Sequence, residues 1–442
     1  MTFLLSLFIT GGLCCPLLAY GQELYKSNKT SARINTNPIK HIIVIMQENR
    51  SFDTYFGTYP GANGIPKNFC MPVSTQFQEL GCIKPFHSFN NTPADLPHGH
   101  RDSIVAYDNG KMDGFLVAAR FDNKTMSYYD NNTIPYYWNL AKHFVLADNF
   151  FSSSLSYSLP NHWYAIAAMA PKVLEWFSPY EGLNDAFKNQ YLKESNLTKT
   201  ITDLFMISGN SNNNSISWKW YQYPISLNGY QSAIKSNDVI DYFNPFVAKA
   251  SSYTKDYVSH FVKRTDIFAD IKNNSLPEVS WVIPKDATSE QSPAKISLGM
   301  AWVKSVVNAV MNSPYWNSTA IIITWDSYGG FFDHVRPPTI VGDNNNNSNS
   351  SLGFRVPAII ISPYAKSSSS SSGEGGFIDH TQYSFESILK FIEWSFGLPP
   401  LNNRDAHANN LLNAFDFNQK PLSPYIVPNT EEESKELSSV LG

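Results

Sequence analysis

The sequence predicts an α/β protein: one large domain around a mostly parallel sheet with helices on both faces. Three observations carry that expectation. Short runs rich in Ile and Val recur along the chain. Helix-length segments separate them, as parallel pairing requires. The runs are apolar throughout rather than alternating, which is the pattern of strands covered on both sides. With 442 residues, 43% of them hydrophobic, the chain can bury a core large enough for such a sheet.

Taken in order, the expected strands are "HIIVIM" (41–46), "HFVLAD" (143–148), "EVSWVI" (278–283), "AIIITW" (320–325) and "PAIIIS" (357–362). Helices are expected over 298–312, "LGMAWVKSVVNAVMN", and over 383–397, "YSFESILKFIEWSFG". In the latter, Phe385, Ile388, Leu389 and Ile392 fall on one helical stripe. The Asn-rich run at 344–347 and the Ser run at 367–372 read as loop insertions. Residues 421–442, which include "EEESKE", read as a solvated C-terminal tail beyond a domain spanning 36–420.

Only 16% of residues are charged and the net charge is −4, so no basic surface for nucleic acid is expected. The chain is apolar from Phe3 to about Tyr20 and offers a small-x-small site at Ala19-Tyr20-Gly21, although no Lys or Arg precedes the apolar run. Residues 1–21 read as a signal peptide, with a membrane anchor as the alternative, and place the protein outside the cytoplasm, secreted or at the cell surface. Of the four cysteines, Cys14 and Cys15 lie in that segment. Cys70 and Cys82 remain, and in an oxidising compartment they are expected to form a disulfide.

Chemistry concentrates at strand ends, where ligands bind in open α/β sheets. Strand 41–46 runs into Glu48, Asn49, Arg50, Ser51 and Asp53; strand 320–325 ends at Asp326, followed by Ser327, Gly329, Gly330, Asp333 and His334. Strand 143–148 leads into the hydroxyl-rich "NFFSSSLSYSLPNHW" (149–163). Burying so many polar groups beside a core is unfavourable unless a cation or hydrogen bonds satisfy them. Glu48 and Asp326, with Asn49, suit a divalent metal ion. A serine hydroxyl beside it would become a nucleophile. Each motif taken alone is equally a cap or polar turn. Arg50 and Asp53 are expected to pair and brace the loop.

The blocks "IKHIIVIMQENRSFDTYFGTYPGANG", "SLPN", "ITWDSYGGFFDHVRPP", "FRVPAIIISPYAK" and "HTQYSFESILKFIEWSFGLPPL" together resemble the phosphoesterase family of phosphatidylcholine-type phospholipases C and acid phosphatase A, within the alkaline phosphatase superfamily. The resemblance runs from Ile39 to Phe417 and implies an alkaline-phosphatase-like fold and a metal-dependent hydrolase with a phosphoserine intermediate. It implies Glu48, Asn49, Asp326 and Ser158 as metal ligands, Ser158 as nucleophile, and His98 as the histidine that holds the phosphoryl group. His334, Asp333, His380, Asp113 and Ser327 are further candidates. Ser327 stands where the family usually has a second carboxylate, and Gln291 where it commonly has a histidine. The expected substrate is a phospholipid headgroup or a phosphorylated small molecule, met at a membrane surface in the first case. A phospholipase C-like activity is preferred; the alternatives are an acid phosphatase and a non-catalytic surface binding protein that keeps the fold.

Overall fold

The computed structural model describes residues 37–175, 185–212, 215–227, 241, 243–340, 351–368 and 376–441. Pro38–Gly442 forms one compact unit. The segment read as a signal peptide lies outside the described residues. No described helix is long and apolar enough to cross a membrane.

An eight-stranded sheet is the frame. Its strands are β1 (His41–Gln47), β2 (Val145–Ala147), β3 (Trp218–Gln222), β4 (Phe261–Lys263), β5 (Val279–Val282), β6 (Thr319–Trp325), β7 (Ala358–Ile361) and β8 (Phe377–Asp379), in spatial order β8-β2-β7-β6-β1-β5-β3-β4. All pairings are parallel except those of β7, which runs against both β6 and β2. The expected mostly parallel α/β architecture is therefore observed, with one reversed strand inside it. β1 is buried from Ile42 onward and β6 throughout, so elements cover both faces. Each fully buried Ile or Val on these strands contributes about 2 kcal/mol of transfer free energy, which is why unalternated apolar runs end up here.

The helices that matter for the site are α1 (Phe52–Phe56), α2 (Pro135–His143), α3 (Ser158–Ala167), α4 (Ile296–Met311), α5 (Phe385–Phe396) and α6 (Glu431–Leu441). On α5, Phe385, Ile388, Leu389 and Ile392 are buried as their spacing predicts, and Gly397, at φ 69°, ends the helix in the left-handed conformation that glycine adopts without strain. α6 corrects the expectation of a solvated tail. Leu437 is buried, Glu433 lies 2.8 Å from Lys304 of α4, and Lys285 Nζ donates to the Val440 carbonyl. The acidic run that looked solvated is the outer face of an amphipathic helix whose carboxylates meet lysines. Cys70 and Cys82 are joined by a disulfide; closing so short a loop is worth about 3 kcal/mol through the unfolded chain's entropy.

Candidate active site and metal centre

Strand register puts the first two acids together. β1 and β6 are parallel neighbours with Gln47 opposite Trp325, so the next residue of each strand, Glu48 and Asp326, emerges at the same edge. The Asp326 amide donates to the Gln47 carbonyl (3.0 Å), extending the ladder by one bond. Asn49 then takes φ 61°, reversing the chain, and its amide donates to Asp326 Oδ1 at 2.8 Å. Gly329 follows at φ 63°, where a Cβ would sit 2.5 Å from the Asn49 carbonyl oxygen. Gly330 similarly abuts Leu96 and Pro97. The double glycine thus lets the turn after β6 pack between the Asn49 loop and the loop carrying His98.

The third component arrives on a helix. Ser158 is the first residue of α3, and its Oγ donates to Glu48 Oε2 at 2.8 Å. The Asp326 carboxylate lies beside the same hydroxyl, which partly offsets the effect of its burial. Asn161 fixes the approach: its Oδ1 accepts from the Ser153 and Ser154 amides, and its Nδ2 donates to the carbonyls of Ser154, Ser156 and Tyr157. The Pro-Asn of the motif is therefore a clasp on the loop, which aims Ser158 rather than Ser154 or Ser156 at the carboxylates. Helix amides at this end also favour negative charge on the serine oxygen.

His162, one turn on, was missed by sequence reasoning. Four residues after Ser158, it shares the helix face that carries the hydroxyl; that spacing was the available signal. Its Nδ1 lies 3.0 Å from the Phe243 carbonyl oxygen. A carbonyl can only accept, so Nδ1 carries the proton and Nε2 presents a lone pair. Nε2 is 3.2 Å from Glu48 Oε1 and 4.0 Å from Asp326 Oδ2.

Glu48, Ser158, His162 and Asp326 are all buried. Burial and then the Glu48 charge push the Asp326 carboxyl up to about 7, while burial lowers the imidazole of His162. Two acids thus face one imidazole nitrogen. Asp326 Oδ2 and His162 Nε2 are buried without a hydrogen-bond partner, and one donor atom each from Glu48, His162 and Asp326 all lie within 4.8 Å of one another. A divalent cation fits this donor set: it would satisfy both orphan atoms and offset the carboxylates.

The other expected residues have different partners. The Asn49 carboxamide, expected on the metal, accepts from Ser327 Oγ (2.6 Å) and donates to Gln291 Oε1. Its amide side chain is engaged by the two positions that depart from the family pattern; what reaches the metal donors is its backbone N–H. His98 is buried, with Nδ1 against the Leu96 carbonyl. His380 is exposed and sits on Asp148. Asp113 is half-buried beside Asp108, its carboxyl raised by burial and by that neighbour.

Asp53, Asp333 and His334 form a second acidic group, but Arg355 lies within it, 2.9 Å from Asp53 and 3.1 Å from Asp333. An arginine supplies the countercharge there. Burial alone would depress the His334 imidazole, yet the Asp53 hydrogen bond at 2.7 Å and the neighbouring acids raise it overall. The Arg50–Asp53 pair is corrected too. Arg50 donates instead to Tyr55 Oη and to the carbonyls of Asn49 and Glu290, bracing the Glu48 loop from below.

A serine hydroxyl on buried acids beside an imidazole is a group that could hold a divalent ion and carry ester hydrolysis. The model of the phosphoesterase family matches residues 39–399, and the chain belongs to that family. It is a hydrolase of phosphoric esters. Phospholipase C A of Mycobacterium tuberculosis is 28% identical over 441 residues, covering 87% of this chain and 78% of that protein. Non-hemolytic phospholipase C of Burkholderia pseudomallei is 28% identical, over 89% of this chain but 61% of its own length. Non-specific phospholipase C1 of Arabidopsis thaliana is 25% identical over 92% of this chain and 77% of that protein. Among solved structures, a protein in the alkaline phosphatase superfamily from Vibrio parahaemolyticus superposes with a TM-score of 0.37 at 12% identity, covering 84% of this chain and 70% of that one.

Proposed function

We propose that the protein cleaves phosphodiesters of the phospholipid-headgroup type in the manner of a phospholipase C, outside the cytoplasm, with Ser158 as nucleophile and a phosphoserine intermediate. The observation that carries this reading is the Ser158 hydroxyl held against Glu48 beside His162 and Asp326. A divalent cation bound by Glu48, Asp326, His162 and Ser158 would acidify the hydroxyl and offset charge on the phosphoryl oxygens. Glu48 Oε2 takes the proton as the Oγ–phosphorus bond forms and the bond to the alcohol breaks. The alcohol leaves with that proton, relayed from Glu48 through water, and a water then hydrolyses the phosphoserine, returning one of its protons to Ser158 Oγ. Burial favours these steps because electrostatic interactions strengthen where water is excluded. His98, whose loop packs against Gly330, would hold the phosphoryl group, as the family resemblance implies.

A diester fits better than a monoester. Glu48 and Asp326 bring two carboxylates to Ser158, and a monoanionic diester is repelled less by such a pair than a dianionic monoester. The names of the relatives support the same preference.

The test is hydrolysis of p-nitrophenylphosphorylcholine against p-nitrophenyl phosphate, with and without EDTA. The expected result is a kcat/KM at least about tenfold higher for the diester and a loss of at least about 100-fold in the chelator, reversed by divalent ion. Preference for the monoester would make the protein a phosphatase. Metal retention with no turnover of either ester would favour the binding-protein reading.

A further inference from the structure

We infer that His162 is a direct ligand of the metal and that its nitrogen makes the centre select a borderline transition ion of the zinc class over magnesium or calcium. The inference rests on the metal-dependent reading above and specifies which ion that centre takes.

The donor count comes first. Calcium takes about six to eight oxygens and magnesium a near-octahedral set of oxygens. Among the described residues, the side chains that converge here supply the oxygens of Glu48, Asp326 and Ser158, and one nitrogen. The positions that could have raised the oxygen count are turned elsewhere. Ser327 Oγ donates to Asn49 Oδ1, and Asn49 Nδ2 donates to Gln291, so these neutral groups satisfy one another. What is left is a small mixed N/O set, the kind zinc and its neighbours occupy.

His162 is prepared for ligation. Metal-bound histidines nearly always donate through the other ring nitrogen, which fixes the ring and the tautomer; here Nδ1 donates to the Phe243 carbonyl. Nε2 is buried without a hydrogen-bond partner and is aimed at Glu48 and Asp326. Two ligand atoms on one small cation lie roughly 3 to 4 Å apart when each bond is about 2.1 Å, and the separations of 3.2 and 4.0 Å fall in that span.

Metal binding itself is the readout. The full-length protein, stripped with chelator, is titrated with Zn2+ and Mg2+ in competition with a fluorescent chelator. The expectation is zinc binding at least about 1,000-fold tighter than magnesium, a ratio set by the nitrogen donor. In His162→Gln the zinc affinity should fall by at least about 100-fold while magnesium changes by less than about threefold; Ser327→Ala should leave both nearly unchanged. X-ray absorption on the zinc-loaded wild type supplies a reading that needs no variant, since imidazole scattering around the ion is expected. Zinc affinity unchanged in a folded His162→Gln, or an oxygen-only shell in the wild type, overturns the inference and leaves the proposed hydrolase standing. Failure of the wild type to bind any divalent ion overturns both.

Discussion

Ser158→Ala is expected to lower phosphodiester turnover by at least about 1,000-fold, because no other hydroxyl can take over the attack on phosphorus. Ser154 and Ser156 are close in sequence, yet the Asn161 clasp holds their backbone in place, and only Ser158 is bonded to Glu48. The change removes one donor from the buried Glu48 carboxylate, at a cost of about 1–2 kcal/mol, so the variant should remain folded and retain its ion with reduced affinity. Kinetics on protein checked by circular dichroism and metal content decide the matter. More than about a tenth of the wild-type rate in such a sample would mean that the nucleophile lies elsewhere.

Arg355→Met is expected to cost about 3–5 kcal/mol of stability, the usual penalty for removing one partner of a buried ion cluster. Arg355 is fully buried; it donates to Asp333 and Asp53 and to the carbonyls of Asn63 and Asp148, and its guanidinium lies 4.3 Å from the centre of the Phe52 ring. Without it, Asp53 and Asp333 face each other in the core. Burial already pushes the Asp333 carboxyl up to about 6 in spite of Arg355. A carboxyl raised above its ordinary 3.8 binds its proton more tightly in the folded state. Its contribution is therefore fully present at low pH and is lost as pH rises through the folded value. Removing the guanidinium raises the Asp333 carboxyl further, so the deficit of Arg355→Met should be larger at pH 8 than at pH 5. Urea unfolding at the two pH values measures this, and Asp53→Asn added to Arg355→Met should recover part of the loss. Equal deficits at both pH values would show that packing over Phe52, not charge, is what Arg355 provides.

The parts of this architecture that were legible in the sequence are those with local signals. The runs at β1, β5, β6 and β7 are apolar because both faces are covered, and that composition can be read directly. β3, β4 and β8 lie toward the sheet's margins, with residues such as Lys219, Gln222 and Lys263 that give no such run. The reversal of β7 leaves no mark, since Ile-rich strands look the same in either direction. Glu48 and Asp326 stood out as acids at strand exits, but only the register of β1 on β6 brings them together. The hydrogen bonds of the Asn49 carboxamide to Ser327 and Gln291 could not be foreseen, since they join positions 278 and 242 residues apart. His162 was not singled out in the sequence, and the orientation of its ring depends on Phe243, a partner 81 positions away. Asp53 and Arg355, 302 positions apart, could not be paired by inspection either.

The central claim is that a single metal ion and an activated serine share one centre at the ends of β1 and β6. Anomalous diffraction from crystals loaded with a transition ion and soaked in vanadate tests it most directly. The account predicts an anomalous peak within bonding distance of the Glu48, His162 and Asp326 side chains, about 2.0–2.3 Å, with vanadium beside Ser158 Oγ. An ion seated instead among Asp53, Asp333 and His334, or vanadate bound away from Ser158, would contradict it.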